Sequence, residues 1–250
     1  MNTKTSYFST KIKQNRRLIT IIAASLFLIL TILIITIYIA LIDETKIDNN
    51  TKYQGLENIF LRYANLFYFT NITNIFSLTT LLIMSLKPNN AKIKRVFFHS
   101  IVLMSITFLI FWTLISWQAN WKNIFESYKS LQTHFINPVI CFLFAFIWKE
   151  QLKFHKNDKY YVVIYVISYL IFAFILYYLT YYLKYNQENA IVIYGFLDFI
   201  HPFFYYGTKL SLKIILNILF LVIGFFLPFL LCLFWIKILK LKIKYKKDVV

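Results

Sequence analysis

LQTHFINPVICFLFAFIW, residues 131–148, is an apolar run of lipid-crossing length whose polar residues, among them Thr133, His134 and Asn137, all sit near its start. Such a run reads as a membrane helix, because about 20 residues at about 1.5 Å rise each cover about 30 Å of hydrocarbon. A histidine near the end of such a helix asks for a reason. The same arrangement recurs in 66–86, where Thr70, Asn71, Thr73 and Asn74 crowd the first turns and the remainder is mostly apolar. If both runs enter the membrane from the same side, the two polar clusters lie at the same depth.

Four further runs free of Asp, Glu, Lys and Arg, at 18–42, 96–117, 160–182 and 214–236, bring the total to six. With 60% apolar residues and a mean hydropathy of +0.63, the chain is neither a soluble domain nor a disordered one. In lipid every backbone amide needs an internal partner, so each run is a helix. The expected fold is therefore all-α, a polytopic membrane protein with six transmembrane helices. A basic N-terminus over 1–17, a membrane domain over 18–239 and a basic tail over 240–250 complete the division.

The net charge of +17 sits between these runs and not within them. With the N-terminus taken as cytoplasmic, 19 of the 27 basic residues fall in inside segments and seven of the ten acids fall outside. That bias places both termini in the cytoplasm. Topology and attraction to anionic headgroups account for the basic residues, and nucleic-acid binding is not implied. Lysine dominates over arginine, and Ile, Phe, Asn and Tyr are abundant, as an AT-rich bacterial genome would dictate. The expected location is the bacterial cell membrane, with membrane lipids as the surrounding partners.

Residues 18–42 exceed a signal-peptide core and end in ALIDET with no small-residue cleavage site, so they are read as an anchor. Cys141 and Cys232 each fall in an apolar run and read as small hydrophobes. The stretch after the first helix, 43–65, is polar, and its second half alternates as an interfacial helix does. Trp112, Trp117 and Trp121 fit an interfacial aromatic belt. Tyr165 and Tyr169 lie deeper, and their hydroxyls need partners in the bundle. His99, one turn inside the third helix, is expected to snorkel or pair at the cytoplasmic interface. Gly224 and Pro228 in the last run predict a kink.

Residues 190–207, AIVIYGFLDFIHPFFYYG, are aromatic and apolar but are broken by Gly195, Asp198, His201 and Pro202. Were this stretch to cross, the lysine-rich tail would move outside, against the charge bias. A re-entrant or interfacial segment on the outer side, before the last helix, is expected instead. Thr70, Thr73, Asn74, His134, Asn137, Asp198 and His201 then all fall in the outer third of the bundle. Thr70, Thr73 and Asn74 share one helical face, and His134 and Asn137 share another. Such a set offers a hydroxyl nucleophile, an imidazole base, a carboxylate to orient that base and amide donors for an oxyanion. Thr and Asn are equally common glue between membrane helices, and hydroxyls are common caps at helix starts. His134, Asp198 and His201 form a lesser alternative as a metal site. No cofactor is implied, and the absence of charged residues within the helices counts against ion-coupled pumping.

YFTNITN, THFINP and YGFLDFIHP resemble the three signature regions of a bacterial family of predicted six-pass integral membrane proteins. In that pattern a Phe-Thr pair is followed by Ser/Thr-Asn, a histidine stands four before a proline, and a tyrosine-rich segment ends in Phe-Leu-Asp. Here these are Phe69, Thr70, Thr73 and Asn74; His134 and Pro138, with Trp148 further on; and Tyr194, Phe196, Leu197 and Asp198. The family is distantly similar to the eukaryotic androgen-induced and androgen-dependent membrane hydrolases, which cleave fatty-acid esters of hydroxy fatty acids with a threonine and a histidine. The resemblance implies Thr70 as nucleophile and His134 as its partner. Its eukaryotic form places Asn or Asp three residues after the threonine, where this chain has Thr73, with Asn74 one further. The expected function is a membrane-embedded hydrolase of a lipid ester, with Asn74, Asn137 and Asp198 orienting or stabilising. The alternative is a non-catalytic protein that binds a lipid or amphiphile, or one that helps a partner assemble.

Overall fold

The computed structural model describes residues 3–41, 55–184, 190–241 and 243–244. Six helices are long and apolar enough to cross a membrane: α1 (Ile12–Leu41), α2 (Glu57–Leu86), α3 (Ala91–Gln118), α4 (Ile124–Trp148), α5 (Asp158–Tyr182) and α6 (Leu210–Leu239). The protein is an all-α, multi-pass membrane protein. Phe154–His155 and Ile243–Lys244 form a short parallel strand pairing.

The most enclosed helix is α3, which touches α2, α4, α5 and α6. Its Phe97, Phe98, Ile101 and Val102 are fully buried at the centre of the main core. Small hydroxyl residues let α2 lie close against it: Ser77 donates to the Ser100 carbonyl at 3.2 Å, and Thr80 to the Ser100 hydroxyl at 3.1 Å. The first helix packs on the bundle, chiefly against α2. Arg17 donates to the carbonyls of Ser85 and Leu86, at 2.8 and 2.9 Å, which α2 leaves unpaired at its C-terminus. Trp148 donates to Thr20 at 3.0 Å and Trp235 to Ser105 at 2.7 Å, so two indoles pin α4 to α1 and α6 to α3.

Local chemistry sets the ends. Asn90 of the Asn-Asn pair caps α3 by accepting from the amides of Lys92 and Ile93. His99 pairs as the sequence predicts, standing 3.2 Å from the buried carboxylate of Asp158, which also binds Arg95. Pro228 does not end α6, which is continuous from Leu210 to Leu239. Gly224 packs close to α5, where an added Cβ would stand 2.4 Å from Leu170 Cδ1 and displace that side chain. Both cysteines are free and buried.

Residues 42–54 of the first loop lie outside the described residues, and the interfacial helix expected in its second half is the opening of α2. Residues 190–209 form no spanning helix; two short turns, Gly195–Leu197 and Pro202–Phe204, interrupt an otherwise irregular path. Ile191, Ile193, Phe196 and Leu197 are buried there against Ala173 of α5 and Phe220 of α6. Asp198 ties the segment down by accepting from the Ile200 and His201 amides and from the Tyr177 hydroxyl, at 3.0, 3.2 and 2.9 Å. Asn217 of α6 adds a bond to the Phe199 carbonyl at 2.8 Å.

Candidate functional site

Proline 138 explains the histidine four residues before it. In a regular helix the amide of residue 138 would bond the carbonyl of His134, but proline has no N–H and its ring crowds that carbonyl. The chain loosens here into a π-helical turn, Gln132–Ile136. The freed His134 carbonyl accepts instead from Trp112 Nε1 on α3 at 3.1 Å. A second π-helical turn, Phe111–Ile115, lies beside it on α3. Together they set the Phe111 ring on the His134 imidazole, centroids 3.7 Å apart and planes inclined by 7°. The Thr107 carbonyl is also close to that imidazole, while His134 Nδ1 is buried and has no hydrogen-bond partner among the described residues. Trp112→Phe is expected to cost about 1 kcal/mol by orphaning this carbonyl. Adding Pro138→Ala restores an amide donor and recovers part of that loss, which unfolding midpoints of the two variants would show.

His134 lines two cavities that meet. One lies between α3, α5 and α6 and is walled mainly by apolar side chains such as Ile106, Leu170, Phe220 and Leu227. The other is the more polar of the two and is walled by Glu57, Asn65, Glu126 and Lys129 among others. Thr70, Phe111, Ile115, His134 and Tyr194 belong to both walls. Thr70 thus stands with His134 where a polar vestibule opens on an apolar chamber.

Tyr194 holds the threonine in place. Its hydroxyl accepts from the Thr70 amide at 3.5 Å and lies close to the Thr70 side chain and to Tyr169. Burial pushes the Tyr194 phenol up, so it remains a neutral donor. Tyr169 finds the partners its depth demands, donating to the Phe67 carbonyl at 2.9 Å and accepting from the Phe69 amide at 3.0 Å.

The remaining residues singled out in the sequence lie elsewhere. Thr73 bridges α2 to α3, donating to the Thr70 carbonyl at 3.0 Å and sharing a 2.8 Å bond with the Thr107 hydroxyl. Asn74 donates to the carbonyls of Thr70 and Thr133, at 2.8 and 3.0 Å, and accepts from Asn137 at 2.7 Å. Asn137 also donates to Thr31 on α1 at 2.8 Å and accepts from Gln132 at 2.8 Å. Both amides have all their donors engaged within the protein and line neither cavity, so the oxyanion role expected of them is replaced by joining α1, α2 and α4. His134 and Asn137 do not share a working face. The extra residue of the π-turn turns the histidine to the cavity and the asparagine to the helix junction.

Asp198 and His201 form a pair of their own, Oδ2 to Nδ1 at 2.8 Å, at the junction of 190–209 with α5. The carboxylate expected to orient His134 is instead engaged by His201 and Tyr177. Among the described residues no group of three or more His, Cys, Asp and Glu side chains is placed to hold a metal ion, and the alternative set of His134, Asp198 and His201 does not assemble.

Sequence reading overlooked Tyr194, Phe111, Trp112 and Thr107. Tyr194 lies in the YGFLDFIHP motif and Trp112 was read only as belt; the missing signal was the carbonyl freed by Pro138, which needs a donor from a neighbouring helix. No family model, no curated protein and no solved structure matches this chain.

Proposed function

We propose that the protein is a membrane-embedded hydrolase of lipid esters. The observation that carries this reading is the junction itself: a hydroxyl and an imidazole with a partnerless nitrogen stand where a polar cavity meets an apolar one. An ester of a long acyl chain has the same division, with its carbonyl at the boundary between head and chain. With the chain in the apolar chamber, Thr70 Oγ1 attacks the carbonyl carbon and His134 takes the hydroxyl proton. Tyr194, whose hydroxyl lies beside Thr70 and accepts from its amide, donates to the developing oxyanion. The imidazolium then protonates the departing alkoxide, and water, activated by the same imidazole, releases the acid from Thr70. The resemblance of YFTNITN and THFINP to the membrane-hydrolase pattern supports the same pair. The charge bias of the loops supports cytoplasmic placement of both termini, and the Lys, Ile, Phe, Asn and Tyr usage suits a bacterial cell membrane protein.

A second reading, a binding protein for an amphiphile, is favoured by one observation: Asp198 is committed to His201 and Tyr177, and among the described residues no other carboxylate is paired with His134. Fluorophosphonate labelling of the purified protein, followed by peptide mass analysis, separates the two. Adduct on Thr70, absent from folded His134→Ala, is the expected result. No adduct, together with no cleavage of acyl esters of several chain lengths, would leave only the binding reading.

A further inference from the structure

The polar cavity contains an unsatisfied donor whose identity is settled by its neighbours. Asn71 Nδ2 donates to the Asn65 backbone carbonyl at 2.7 Å, which fixes how the Asn71 amide is turned. The same nitrogen approaches Asn65 Oδ1 at 3.4 Å, which fixes the Asn65 amide in turn. Asn65 Nδ2 is thereby left buried with no acceptor among the described residues, on a residue only 2% exposed in the cavity wall. A buried donor of this kind calls for an acceptor from something bound.

The charges of the same wall decide what that acceptor belongs to. Among the described residues the wall carries Glu57 and Glu126 against a single cation, Lys129. That cation is already engaged, 3.5 Å from Glu126 Oε2 and 3.5 Å from the centre of the Tyr38 ring. Glu57 accepts from Tyr68 at 3.1 Å and retains further acceptor capacity. An anionic head would satisfy Asn65 but face two carboxylates, whereas a cationic head would meet the carboxylates but offer Asn65 nothing. A hydroxyl does both, donating to a carboxylate and accepting from the amide.

We infer that the polar cavity binds the uncharged, hydroxyl-bearing head of a single-chain acyl ester, of which a monoacylglycerol is the simplest, with its chain in the apolar chamber. The assignment rests on the lipid-ester reading for the alignment of the carbonyl with Thr70, while the preference for the head rests on the vestibule alone.

The test is equilibrium binding of radiolabelled 1-monooleoylglycerol and oleate to full-length Thr70→Ala protein in detergent, corrected for partition into protein-free micelles. Monooleoylglycerol is expected to bind about tenfold tighter than oleate. Asn65→Leu should lower its affinity about tenfold, the effect of losing one buried hydrogen bond. Glu57→Gln combined with Glu126→Gln should instead raise oleate affinity, a gain that a poorly folded variant cannot mimic. Oleate binding as tightly as monooleoylglycerol, or a preference unmoved by the double glutamine variant, would overturn the assignment. Absence of ester cleavage by wild type, with the binding preference intact, would remove the hydrolase reading and leave this one standing.

Discussion

Thr70→Ala is expected to lower hydrolysis of a cleavable acyl ester by at least about 10³-fold, because removing the nucleophile of a cooperating pair abolishes the covalent route and leaves only binding and oxyanion stabilisation. The variant should remain folded. The bond from Thr70 to Tyr194 runs from its backbone amide, which the substitution keeps. The structural cost is then about 1 kcal/mol. Thr70→Ser keeps the hydroxyl and should retain most of the rate. His134→Ala should fall by a similar factor, and the double variant should fall little further, since residues that act as a unit are not additive. Initial rates on one ester, with unfolding midpoints measured alongside, check all four variants. Undiminished cleavage by folded Thr70→Ala would exclude it as the nucleophile.

Asp158→Ala should produce the largest loss of stability, about 3 kcal/mol, at the opposite end of the bundle from the candidate site. Its side chain is fully buried, and it ties α3 to the start of α5 and to the turn just before it. Arg95 donates to it through Nε at 3.2 Å and through Nη2, His99 stands 3.2 Å away, and the His155 amide donates to it at 2.6 Å. Breaking a buried ion pair by removing one partner costs roughly 3–5 kcal/mol. The low end applies because the Arg95 side chain is already 34% exposed and can turn to water. Asp158→Asn keeps an acceptor for the His155 amide and should lose less. Denaturation by SDS titration would order the three proteins. A drop of less than about 1 kcal/mol in Asp158→Ala would mean that the network is only a surface pairing.

Much of this arrangement is legible in the chain before it folds. Six charge-free runs state the number and order of helices, because hydrocarbon leaves backbone amides no other satisfaction. The breaks at Gly195, Asp198 and Pro202 mark 190–207 as a stretch that does not cross as a helix, and the structure agrees. The depth of Thr70 and His134 is conveyed by the position of each residue in its run, without knowledge of helix order. Asn74, Asn137 and Asp198 share that depth without sharing the site.

Sequence position determines how far along a helix a side chain lies, but not toward which neighbour it points. Asn74 and Asn137 share the depth of Thr70 and His134, yet they face α1 and one another across the α2–α4 junction. Asp198 lies at the same end of the bundle but turns toward Tyr177 and His201. That rotation is set by packing around α3 and by the missing amide of Pro138, which shifts His134 onto Phe111 through an interhelical bond from Trp112. Hydropathy is a one-dimensional property and so determined the spans. The azimuth of each helix depends on which residues of other helices satisfy its polar groups, and only the tertiary structure decided that.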